Sequence, residues 1–85
     1  MFGNFFDFIL SNLIEKKIPE TDEVLINSLD PHRREVIVTI GNLHMRSVVD
    51  ARALDKGMTI EYIAENIRRR WERHQNGGPK WEGEE

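Results

Sequence analysis

The chain of 85 residues contains no cysteine. That excludes a disulfide framework, thiolate metal sites and a cysteine nucleophile. It also lacks a positive excess: 12 lysines and arginines against 15 acidic residues leave a net charge of −3. Such a balance argues against non-specific binding to nucleic acid or anionic membrane by the whole surface. No apolar run approaches the roughly 20 residues that a membrane-spanning helix needs. The opening MFGNFFDFIL has neither a basic leader nor a small-residue cleavage site. The chain is therefore expected to be soluble and cytoplasmic, with membrane binding the weakest of the readings considered.

Catalytic patterns are missing as well. His32, His44 and His74 fall in a turn, a strand edge and a helix end, without the close spacing of metal ligands. No glycine-rich phosphate loop follows a strand. Glu61 and Glu65 share a helix face, but that face reads as solvated and no nucleophile–base pair is legible. The expectation is a protein that is not an enzyme and holds no metal or cofactor.

What is present is clear periodicity. NFFDFILSNLIEKK (4–17) reads as a helix with Asn4 as its cap, Asp7 completing a capping-box-like pair, and Lys16 and Lys17 at the end that favours cations. Pro19 stops it. At about 100° per residue, Phe5, Phe6, Ile9 and Leu13 cluster around Phe2; Leu10 and Ile14 widen the stripe on one side, and Phe8 falls away from it. The helix is apolar over more than half its circumference, more than a two-layer domain requires.

VLINSL (24–29) and EVIVTI (35–40) read as strands joined by the turn DPHRR, in which Pro31 sets φ. LHMRSVV (43–49) follows the turn signal GN and alternates with Leu43, Met45 and Val49 on one face and His44, Arg46 and Val48 on the other. Residues 43–55 stay open between strand and helix. Asp50 and Gly57 bracket a possible helical turn. Thr59 caps a second helix, about 60–75, with a stripe of Ile60, Ile63, Ala64, Ile67 and Trp71.

The order α-β-β-β-α predicts a two-layer α+β domain: a three-stranded antiparallel meander with both helices packed on one face. Residues 1–75 are expected to form this single compact domain, and 76–85 a flexible acidic tail. A domain of this size buries only about 60–65% of its unfolded-chain surface, so its core is thin.

The same order occurs in double-stranded RNA-binding domains, and DPHRREVIVTI resembles their basic, histidine-bearing loop. Those domains carry lysines at the start of their second helix; this chain has only Lys56 there, with Glu61 and Glu65 close by. Reading 45–56 as a helix instead gives strand–helix–helix, which resembles ribbon-helix-helix repressors. Their paired strands carry polar, base-reading side chains, whereas this strand alternates Val36, Val38 and Ile40 with Ile37.

NIRRRWERHQ (66–75) looks basic, yet on a helix Trp71 joins the apolar stripe and Arg68 and Arg69 lie within reach of Glu65 and Glu72. The function expected is a small protein-interaction module, a regulator or inhibitor of the phage or mobile-element type, acting on a protein partner or as a homodimer. Its expected contacts are Phe5, Phe8, Ile14, Arg69, Arg73 and Trp81. The alternative is a nucleic-acid-binding regulator using His32, Arg33, Arg34, Arg46 and Arg69.

Overall fold

In the computed structural model the described residues are 4–76. The elements are α1 (Asn4–Lys17), β1 (Glu23–Asp30), β2 (Arg33–Ile40), β3 (Leu43–Asp50), α2 (Ala51–Asp55) and α3 (Ile60–Gln75). The strands form one antiparallel sheet in the order β1-β2-β3. This is the α+β arrangement that the sequence predicts. Residues 43–50 are strand, so the strand–helix–helix order does not occur.

Local chemistry accounts for the boundaries. Gly41 has a φ of 62° and no described non-glycine residue has positive φ. The two-residue loop Gly41-Asn42 therefore has its left-handed residue first, as a type II′ hairpin requires. Asp22 Oδ2 accepts from the Gly41 N–H at 2.7 Å and steadies that loop. At the other hairpin Asp30 Oδ1 accepts from the His32 N–H at 2.8 Å. Asp50 caps α2 by accepting from the Arg52 N–H, and Thr59 caps α3 by accepting from the Tyr62 N–H at 3.0 Å. Gly57, at φ 98°, lets the chain turn between them.

The alternation of each strand divides the sheet into two faces. One carries Val24, Ile26, Val36, Val38, Met45 and Val49, which meet Phe6, Leu10, Ile14 and Ile18 from the N-terminal segment and Ile63, Ala64 and Ile67 from α3. Trp71 packs against this core partly buried, with His74 stacked on it at 6.0 Å between ring centroids.

The seating of α1 differs from the helical-wheel expectation. Its buried ridge is Phe6, Leu10 and Ile14, continued by Ile18, at successive i, i+4 positions. Phe5 and Ile9, expected near the centre of the stripe, are exposed. Ile14, expected at a partner interface, is 0% exposed and belongs to the core. Two ion pairs accompany this rotation. Asp7 reaches Arg34 on the inner side of β2 at 3.5 Å. Lys17 donates to Glu65 Oε1 on α3 at 3.1 Å.

The Lys17–Glu65 contact also corrects the reading of that α3 face as simply solvated. Arg68 and then Lys17 hydrogen-bond the Glu65 carboxylate and hold its pKa down from 4.5 to about 2. A depressed carboxylate contributes stability fully above its unfolded value, and the contribution fades as pH falls through the folded value. Glu65→Gln is therefore expected to lose less thermal stability than the unaltered protein between pH 4.5 and about 2. Parallel Tm-against-pH curves for the two proteins across that window would count against this coupling.

Candidate protein-interaction surface

Because α1 is turned to bury Phe6, Leu10 and Ile14, its opposite side presents large apolar groups to water. Phe5 is 76% exposed, Phe8 67% and Ile9 39%. At helical spacing these three and Asn12 share one face, with Glu15 and Lys16 one turn farther along. Asn12 donates to the Phe8 carbonyl at 2.9 Å, which keeps its amide close to the helix. The result is an apolar platform with a polar border, the usual composition of a contact patch.

The outer face of the sheet is a second uncovered surface. It carries exposed Leu25, Leu29 and Val48 beside half-buried Ile37. Glu35 lies between them, accepting from Arg46 Nε and from Asn27 Nδ2. The Arg46 hydrogen bond comes first among the causes that hold the Glu35 carboxyl below its ordinary value. This charged bridge crosses the apolar surface and divides it in two.

The arginines named for nucleic-acid binding are dispersed. Arg33 donates to Asp30 Oδ2 at 2.7 Å at the first hairpin. Arg34 turns inward to Asp7. Arg46 joins Glu35 on the outer sheet face, and Arg69 stands on α3, 3.6 Å from Glu65. His32 is exposed on a cleft of about 470 Å³ shared with Asp30, Arg33, Arg52 and Asp55, where the charges of both signs balance. Asp50 lies beside that cleft, and its carboxyl is held low first by Arg52.

Of the residues expected to contact a protein partner, Phe5 and Phe8 come together on α1, whereas Arg69 and Arg73 line a separate shallow cavity along α3. Trp81 lies outside the described residues. The outer-face leucines went unnamed as site candidates, although the alternation of β1 already places Leu25 and Leu29 opposite Val24 and Ile26.

Among the described residues no group of three or more His, Cys, Asp or Glu side chains is placed to hold a metal ion. No helix among them is long and apolar enough to cross a membrane. No protein-family model, curated protein or solved structure matches the chain with significance.

Proposed function

We propose that this protein is a binding module that regulates or inhibits by contact, with the outer face of α1 as its principal protein-binding surface. The observation behind this reading is the exposure of Phe5 and Phe8 on a helix whose other side already fills the core. Each phenylalanine left in water forgoes about 1.5–3 kcal/mol of burial free energy, which a protein partner recovers on covering it. A second copy of the chain, packing the same helix face across a two-fold axis, is the simplest such partner. The reading assigns no catalytic residue. Nucleic-acid binding has less support, because Arg33, Arg34, Arg46 and Arg69 each lie near a carboxylate and at separate places on the fold.

The test is Phe8→Asp, examined by light scattering after gel filtration and by affinity capture. Phe8 is exposed, so the variant keeps the native circular dichroism spectrum and loses at most about 0.5–1 kcal/mol of stability. The expected result is a dimer for the unaltered chain and a monomer for the variant. A monomer in both cases supports a different protein partner only if a specific captured protein is lost with Phe8→Asp. A monomer whose captured proteins are the same in both forms would overturn the proposal.

A further inference from the structure

Among the described residues β3 is an edge of the sheet, and its pairing is regular from end to end. β1, at the opposite edge, slips in register between Ser28 and Asp30, whereas β3 pairs residue for residue with β2 from Leu43 to Asp50. The Ala51 N–H donates to the His32 carbonyl at 2.7 Å and extends that ladder by one pair. In an antiparallel ladder, pairs that exchange backbone hydrogen bonds alternate with pairs that do not. Counting back from Ala51, Val49 and Ser47 direct their backbone groups to β2. Val48 therefore directs its N–H and C=O to the outer edge, whereas the C=O of Asp50, the cap of α2, begins that helix.

A groove of about 320 Å³ runs beside this edge. Val48 and Val49 form one wall, Asp50, Ala53 and Met58 the end next to α2, and Ile63, Asn66 and Arg70 the wall on α3, so the one carboxylate of the lining, paired with Arg52, lies at the end away from Arg70. Arg70 donates to Ser47 Oγ at 3.1 Å, which places its guanidinium at the rim nearer the start of β3. Beyond Arg70 the groove continues into the shallow cavity lined by Arg69, Arg70 and Arg73, with Glu72 the sole acidic residue among its described lining. The surface thus offers a strand edge, then an apolar recess, then a basic shelf.

We propose that the edge of β3 and the groove between it and α3 take an extended, acidic peptide from a partner protein. An extended backbone is the occupant that matches a regular strand edge: main-chain hydrogen bonds supply affinity, and every second side chain points into the recess. The groove lies at the small end of ligand pockets, which span about 300–1,000 Å³, and so suits one or two side chains rather than a compact cofactor. The two exposed arginines of the shelf, Arg73 and Arg69, select carboxylates at the end of the peptide next to the start of β3, Arg69 in exchange for its 3.6 Å contact with Glu65. This surface is separate from the α1 face, so failure of one proposal leaves the other standing.

The test uses a fluorescein-labelled peptide of about eight residues that alternates leucine and threonine and ends in glutamates, read by anisotropy against the full chain. A lysine-ended peptide of the same pattern serves as control. The acidic peptide is expected to bind with a micromolar Kd, weakening as salt rises, and the lysine-ended peptide not to bind. Val48→Pro removes one edge N–H at a site where proline is tolerated, and is expected to weaken binding by about tenfold or more. Arg69→Glu with Arg73→Glu reverses the shelf at two exposed positions and is expected to have a similar effect, with native circular dichroism in each variant. No binding at about 1 mM peptide, or equal binding by Val48→Pro, would overturn the proposal. Binding seen only with a chain ending at residue 76 would assign the groove to residues 77–85 and overturn a partner's peptide as occupant.

Discussion

Val38→Asp is expected to leave the protein unfolded at 25 °C. Val38 lies in the middle strand, between Val24 of β1 and Met45 of β3, with almost no exposure. No residue adjacent to Val38 on that face is charged: Arg34, which turns inward on the same strand, is four positions away and lies against Asp7. The group must either stay charged in a desolvated site or fold protonated. Folding with the group protonated at pH 7 costs about 4 kcal/mol, at 1.36 kcal/mol for each unit above the ordinary carboxyl value of about 3.9, and losing the burial of the valine adds about 1.5–3 kcal/mol. Native stabilities run at about 0.05–0.15 kcal/mol per residue, or about 4–13 kcal/mol for a chain of this length, and a thin core places it toward the lower end. The penalty therefore consumes most or all of the total. Ile37→Asp is the control. Ile37 faces the opposite side of the same strand, half-buried, with Arg46 directly across on β3. Its aspartate remains hydrated, so native circular dichroism and dispersed amide resonances should persist. A folded Val38→Asp protein with an unchanged Tm would overturn the assignment of that face to the core.

The second large effect is expected at Leu10. Leu10→Ala should lower the unfolding free energy by about 2–5 kcal/mol, the sum of the lost transfer free energy and the cavity left behind. Ile9→Ala, one residue away, should cost about 0.5–1 kcal/mol or less, because Ile9 already meets water and alanine favours the helix. Urea unfolding distinguishes them: the midpoint of Leu10→Ala falls steeply at unchanged m-value, while that of Ile9→Ala barely moves. The reverse order of effects would mean that α1 sits as the helical wheel alone suggests, with Ile9 inward and Leu10 at the margin.

That contrast marks where sequence reasoning stops. An amphipathic helix with one narrow stripe declares its inner face, and α3 does so through Ile60, Ile63, Ala64, Ile67 and Trp71, which are buried or partly buried against the core. In α1 the apolar residues run around more than half the circumference, so the stripe alone does not select one rotation. The one observed buries Phe6, Leu10 and Ile14 and brings Asp7 to Arg34 and Lys17 to Glu65. These partners are separated by 27 and 48 positions, counted from the residue numbers, and no local periodicity encodes such distances. The arginine-rich stretch of α3 shows the opposite case. Arg68 pairs with Glu65 and Glu72 at helical spacing, a pattern visible in the residues themselves.

The sequence by itself determined the two long helices, the strand β2 with its alternating faces, the Asp50 and Thr59 caps and the Gly41 turn. Each of these is a local matter: a period of 2 or about 3.6, a φ that only glycine adopts easily, or a side-chain oxygen two or three residues from the N–H it accepts. Only the tertiary structure decided that residues 43–50 pair with β2 as a strand, that Ile14 belongs to the core while Phe5 and Phe8 face water, and that Arg34 turns inward. It alone opened the groove between β3 and α3. The reason is physical: these outcomes depend on which distant surfaces cover one another, and burial free energy is settled only when the layers close.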